Sequence, residues 1–200
     1  SVPYLDNGYY YYRRLEAKKE YAIYCRKPGS LDNQEEVMLD VNILADGYDY
    51  FAVSGLTVSP DNQWLAYGVD TLSRRFYTIH FKNLFIGEVL DKTIPNTTGS
   101  VAWANDNKTI FYTLKNKVTL LSEKIYRHKV GSDSVQDVMV YKEDDETYYT
   151  GVYRSKSGEY IIIWNSSTLV NDYHILRSDN PDGNFVNFTP RGTEHEYSIE

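Results

Sequence analysis

Cysteine occurs once in 200 residues, at Cys25. The chain can therefore form no internal disulfide and no multi-cysteine metal site, and a lone thiol fits a reducing compartment. Alanine, the strongest helix former, occurs only seven times, which weighs against a helical bundle. No apolar run approaches the ~18 residues of a membrane-spanning helix. Basic residues are in deficit: Lys and Arg number 21 against 28 Asp and Glu, a formal net charge of −7, with pI near 5.1. That balance lacks the basic excess of a general nucleic-acid binder, so neither nucleic acid nor a membrane is expected as a partner. No charged segment leads into an apolar one at the start, so no secretory signal is read. The expected location is the cytoplasm, with the periplasm as the alternative. The chain starts at Ser1 and stops inside what reads as a strand, 196–200, so a piece of a longer protein is expected.

Tyrosine is abundant: 20 residues, lifting aromatics to 15%. With Val, Ile, Thr and Phe, these residues favour a pleated, half-buried surface. A turn followed by a β-rich run recurs along the chain. Leu5-Asp6-Asn7-Gly8 precedes Tyr9-Tyr10-Tyr11-Tyr12, and Ser59-Pro60-Asp61-Asn62 precedes Trp64-Leu65-Ala66-Tyr67. Ala104-Asn105-Asp106-Asn107 precedes Thr109-Ile110-Phe111-Tyr112, and Ser155-Lys156-Ser157-Gly158 precedes Tyr160-Ile161-Ile162-Ile163. Each turn closes on Gly or Asn, the residues that tolerate the positive φ of a tight hairpin.

Each turn joins the first two strands of a four-strand unit, and strands such as Tyr77-Thr78-Ile79-His80-Phe81 alternate apolar and polar residues with the period of a sheet. Four-stranded antiparallel units repeating at roughly 40–50 residues point to β-propeller blades. A β-sandwich is the alternative. The expectation is an all-β partial propeller of about four blades, over 1–45, 46–92, 93–143 and 144–190, with 191–200 opening a fifth. One short helix is expected at 42–45.

The residues offer little catalytic chemistry. No G-x-S-x-G nucleophile elbow occurs, and no P-loop or dinucleotide glycine motif. Cys25 reads as a sheet residue. His80, His128, His174 and His195 are dispersed, unlike clustered metal ligands. The Asp179-Asn180-Pro181-Asp182-Gly183 run reads as a turn, because the terminal carboxylates of a calcium loop are missing. Tripeptides opening at Asn96, Asn107, Asn165 and Asn187 match a glycosylation acceptor and read as chance matches. No cofactor, metal or catalytic residue is expected in the chain.

Several segments taken together resemble the propeller domain of the oligopeptidase B (protease II) branch of the prolyl oligopeptidase family. They are Val2-Pro3-Tyr4, Asp6-Asn7-Gly8-Tyr9, Val58-Ser59-Pro60-Asp61-Asn62, Asp70-Thr71 with Arg74-Arg75, Val101-Ala102-Trp103-Ala104-Asn105-Asp106, Tyr126-Arg127-His128, Glu143-Asp144-Asp145-Glu146 and Asp179-Asn180-Pro181-Asp182-Gly183. The likeness is collinear over nearly the whole chain. It implies a serine peptidase that joins a seven-bladed propeller to an α/β-hydrolase domain and cleaves short peptides after Arg or Lys. The catalytic residues would lie in that hydrolase domain. This chain would gate access to it, and a propeller scaffold without catalysis is the alternative.

Strand parity puts the loops after second strands and the connections between blades on one face. Arg74 and Arg75 are then expected to dock on carboxylates of the hydrolase domain, while Glu143, Asp144, Asp145 and Glu146 draw in cationic peptides. Apolar blade faces carrying Trp64, Tyr67, Trp103, Phe111, Tyr160 and Trp164 are expected to be left open and to promote self-association.

Overall fold

Gly8, Asn62, Asn107 and Gly158, the residues that close the four repeated turns, have φ of 81°, 63°, 59° and 73°. The left-handed backbone expected of a tight hairpin is present at each. The computed structural model describes residues 1–188, 191–192 and 197–200. The expectation placed on His195 lies outside the described residues. The chain divides into two compact units, Ser1–Ala52 and Val53–Glu200.

The first unit is a four-stranded antiparallel meander of β1 (Tyr4–Asp6), β2 (Tyr9–Arg14), β3 (Ile23–Pro28) and β4 (Glu36–Asp40). A single helical turn, α1 (Val41–Leu44), follows, its N-terminus capped by the Asp40 carboxylate, which accepts the Asn42 N–H. Tyr11 pairs across from Arg26, and Tyr12 from Cys25, so the strand alternation sends Arg26 and Cys25 to opposite faces. The Arg26 guanidinium is fully buried, bonds Glu36 through Nε at 2.7 Å, and sits 4.2 Å from the centre of the Tyr9 ring. Cys25 is also fully buried. Burial, then the neighbouring Glu35 carboxylate, pushes its thiol up to about 11. The thiolate is the reactive form, so Cys25 is expected to resist iodoacetamide at neutral pH in the folded chain and to react once denaturant is added. Stoichiometric labelling of the native chain would contradict this placement.

The second unit begins with β5 (Ala52–Val58), β6 (Trp64–Asp70), β7 (Tyr77–Asn83), β8 (Ile94–Trp103), β9 (Thr109–Lys115), β10 (Ser122–Lys129) and β11 (Val138–Lys142). These seven strands form one continuous antiparallel sheet in sequence order. A second sheet holds β12 (Tyr149–Arg154), β13 (Tyr160–Ser166), β14 (Asn171–Arg177) and β15 (Val186–Asn187).

The seven-stranded sheet arises because β8 serves two blades. Its first part pairs with β7, at Ile79↔Ile94 and Tyr77↔Thr97. Its last residues pair with β9, from Val101↔Tyr112 to Trp103↔Ile110. Sequence reading takes 94–99 as a connecting loop, and this is corrected. The outer strand of the second blade is only an isolated bridge at Val89, with Leu90 N–H bonded to the Phe81 carbonyl, and regular pairing resumes at Ile94. Pro95, together with positive φ at Asn96 and Gly99, breaks the sheet period and hides the strand from pattern reading.

Between these two pairings β8 crosses over β5 and β6 with almost no room. A Cβ on Gly55 would stand 2.2 Å from the Gly99 carbonyl oxygen, and one on Gly68 would stand 2.5 Å from the Gly99 Cα. Three glycines therefore make the blade-to-blade passage feasible.

Alternation along the third blade builds the core. Val101, Trp103, Ile110 and Tyr112 face Ala66, Ile79, Phe81 and Ile94 of the second blade. The intervening Ala102, Ala104 and Phe111, with Ile125, face Val152, Ile161, Ile163 and Leu176 of the fourth. Trp103 and Phe111, expected on open faces, are thus buried between blades. Tyr67 is also buried, so these three do not form an exposed apolar surface.

Candidate docking and recognition face

Cross-blade hydrogen bonds fix which loops of the second unit share an end. At one end the Lys115 ammonium donates to the Arg75 carbonyl at 3.1 Å, tying the third blade to the 71–76 loop of the second. At the other end the Asp61 N–H donates to the Asn107 side-chain oxygen at 2.9 Å, joining two tight turns. The Glu143 N–H bonds the Glu123 carbonyl at 2.8 Å, which places the 143–147 segment beside the start of β10. Arg74, Arg75 and the acidic run therefore lie at the same end of this unit, opposite the tight turns at 59–63 and 104–108.

The 71–76 loop is built on Asp70. This buried carboxylate accepts the N–H groups of Leu72 and Arg75, both at 2.8 Å. Ser73 and Arg75 take positive φ, and the Arg74 and Arg75 side chains are left exposed. Burial, then the nearby Arg75 charge, pulls the Lys115 ammonium below its ordinary value. The loop thus presents two guanidinium groups, suited to bidentate pairing with carboxylates.

The acidic run divides. Glu143 is buried and receives the Arg191 guanidinium at 2.6 Å, the Tyr141 hydroxyl at 3.0 Å and the Asp145 N–H at 3.0 Å. It therefore adds little to the outward field, which corrects its expected part in attracting cationic peptides. Asp144, Asp145 and Glu146 are exposed. Asp144 is paired with Lys142, and Asp145 accepts the Thr147 N–H at 2.9 Å. Hydrogen bonds from Thr147 hold the Asp145 carboxyl below its ordinary value.

Arg191 is the organising residue that sequence reading misses. Its guanidinium bonds Glu143, bonds the buried Asp172 through Nε, and lies 3.9 Å from the centre of the Tyr148 ring. One side chain therefore grips both ends of the 143–148 segment and fastens it to β14 of the fourth blade. Burial opposes its charge, but the hydrogen bonds to Glu143 and Asp172 outweigh that and raise its proton affinity. Asn165 donates to Tyr141 at 2.8 Å and also to Asp172. Burial, then the Glu143 charge, raises the Tyr141 phenol. Glu143 and Asp172 lie 48 and 19 residues from Arg191 in sequence, so no local pattern announces the cluster.

His80, His128 and His174 fall on the third strands of three successive blades, β7, β10 and β14. His128 is buried and bonds Asp137 at 2.6 Å, and Asp137 also accepts the Tyr112 hydroxyl at 2.9 Å. This is an internal brace for the third blade. Among the described residues no three His, Cys, Asp or Glu side chains are grouped so as to hold a metal, and no helix is long and apolar enough to cross a membrane.

Comparison with known proteins places this architecture. The family model described as the prolyl oligopeptidase N-terminal beta-propeller domain matches residues 1–200. Dipeptidyl aminopeptidase BI of Pseudoxanthomonas mexicana is 38% identical over 215 residues, spanning 100% of this chain and 30% of the relative. Protease 2 of Moraxella lacunata is 34% identical over 188 residues, spanning 90% of this chain and 27% of the relative. The oligopeptidase B structure from Leishmania major superposes with a TM-score of 0.89 at 28% identity, over 97% of this chain and 28% of that protein. The closed form of Trypanosoma brucei oligopeptidase B with covalently bound antipain gives 0.87 at 28% identity, with the same coverage of both chains. The chain thus spans under a third of the length of these relatives.

Proposed function

Because the chain belongs to the prolyl oligopeptidase N-terminal β-propeller family, we propose that it is the propeller portion of an oligopeptidase B-like serine peptidase that hydrolyses short peptides after Arg or Lys. The observation that carries this reading is the superposition on oligopeptidase B over 97% of the chain at a TM-score of 0.89. In this reading the chain supplies no nucleophile. The end that carries Arg74, Arg75 and the acidic run meets a hydrolase domain carried elsewhere on the full-length polypeptide and restricts entry to short, flexible peptides. Arg74 and Arg75 pair with carboxylates across that junction. Asp144, Asp145 and Glu146 lower the local potential and favour cationic peptides, an effect that salt screens over a Debye length of about 10 Å at 0.1 M.

The 38% identity to dipeptidyl aminopeptidase BI supports a second reading of the cleavage mode, release of dipeptides from a free amino terminus. Two fluorogenic amides tested on the full-length gene product separate them: Arg-Arg-aminomethylcoumarin with its amine blocked by benzyloxycarbonyl, and the same compound unblocked. Cleavage of both is expected for the oligopeptidase, and cleavage of the unblocked amide alone for the dipeptidyl aminopeptidase. Turnover of neither, or turnover that resists a serine-directed inhibitor, would refute both.

A further inference from the structure

Each loop that follows a second strand in the second unit carries a largely exposed aliphatic side chain at its tip: Leu72 at 73%, Val118 at 90% with Leu120 at 54%, and Leu169 at 74%. The corresponding turn of the first unit carries Leu15, also largely exposed. A single exposed aliphatic residue needs no explanation, but a recurring set is a surface feature. Among the described residues the tight turns at 59–63, 104–108 and 155–159 of the second unit expose no large apolar side chain. The turns after third strands expose Phe85, Ile86 and Val135 in two blades, without recurrence in the fourth.

The tips are held, not loose. In the second blade the Asp70 carboxylate accepts the Leu72 N–H at 2.8 Å. In the third, the Asn116 side chain accepts the Val118 N–H at the same distance, with the same two-residue spacing. The Ser167 N–H closes the fourth loop on the Val170 carbonyl at 2.9 Å. Leu120 has a φ of 65°, a strained setting for a branched side chain that is maintained at an exposed position. A pinned apolar tip loses little entropy on contact. Exposed Arg74, Arg75, Asp144, Asp145 and Glu146 stand at the same end. Apolar tips and exposed charged side chains at one end supply the two components of an association surface, apolar contacts and polar surroundings.

We propose that Leu72, Val118, Leu120 and Leu169 form the apolar contact set through which this end of the propeller seats on the hydrolase portion of the full-length polypeptide. This rests on the peptidase reading above. The occupant follows from that reading: the curated relatives are matched over only 27–30% of their length, and the unmatched remainder is where the proposed function puts the hydrolase domain. Apolar seating sets a different expectation from charge pairing alone. Closure held by these tips persists in salt, whereas closure held by the exposed arginines weakens as ionic strength rises.

The test is small-angle X-ray scattering of the full-length protein with Leu72, Val118, Leu120 and Leu169 all changed to Ser, and with Leu169→Ser alone. Because the four side chains are exposed on the propeller itself, its own fold is expected to survive the substitutions, seen as a retained cooperative thermal transition. The four-site variant is expected to expand measurably in radius of gyration and Leu169→Ser to expand less. Raising salt from about 50 to about 500 mM is expected to leave the wild type compact. Wild-type scattering from the four-site variant would overturn the proposal, as would loss of its thermal transition. So would dissociation of an oligomer, seen by sedimentation, with no change in monomer compactness, since a second copy would then be the occupant. Scattering is read without catalysis, so failure of the peptidase reading shows separately, as a compact wild type that cleaves no Arg or Lys peptide.

Discussion

Gly68→Ala is expected to destabilise the chain by about 3 kcal/mol, at the upper end of what overpacking a core costs. The added methyl would stand 2.5 Å from the Gly99 Cα, where the obstacle is backbone that no rotamer change can clear. To make room, β8 must lift from β6, which disturbs both its pairing with β7 and its pairing with β9. For a chain of this size the loss corresponds to a fall in melting temperature of roughly 6–12 °C. Gly87→Ala is the control: its φ is +76° but nothing lies within 4 Å of the added atom, so only the left-handed backbone penalty of roughly 1–2 kcal/mol applies. Thermal melts followed by circular dichroism check the pair. Equal losses at the two positions would show that the crossing is not tightly packed.

Arg191→Ala is expected to cost about 3 kcal/mol, because it leaves two buried carboxylates, Glu143 and Asp172, without their shared counter-ion. The double variant Arg191→Ala with Glu143→Gln is expected to recover part of the loss, since one uncompensated charge is removed. Denaturant unfolding of the single and double variants measures the coupling. A double variant less stable than Arg191→Ala would show that Glu143 acts through packing and not through its charge.

The parts of this fold that sequence reading finds are those with a local cause. The turn residues Asn62 and Asn107 stand out because a positive φ requires their residue type, and β6, β9 and β13 stand out because each follows such a turn. The single helical turn is found to within a residue because Asp40 caps it. The crossing of β8 is missed because Pro95 and Gly99 read as loop residues, and their partners Gly55 and Gly68 lie some thirty or more residues earlier in the chain. The common end of Arg75 and Asp145 follows from strand parity alone. The division within the acidic run does not: Glu143 and Asp144 are adjacent and chemically alike, and only the arrival of Arg191 makes one an internal ion-pair partner and leaves the other in solvent. The aliphatic tips escape sequence reading for the opposite reason, since isolated aliphatic residues in polar loops carry no pattern until the repeats are aligned.

Covalent labelling of the full-length protein with a fluorophosphonate, followed by mapping of the labelled peptide, tests most directly whether these 200 residues are the non-catalytic propeller of a serine peptidase. The account predicts one labelled serine, within a G-x-S-x-G segment outside the 200 residues, and loss of Arg-Arg-amide hydrolysis in proportion to labelling. A labelled residue within the 200, or full hydrolysis with no label incorporated, would contradict it.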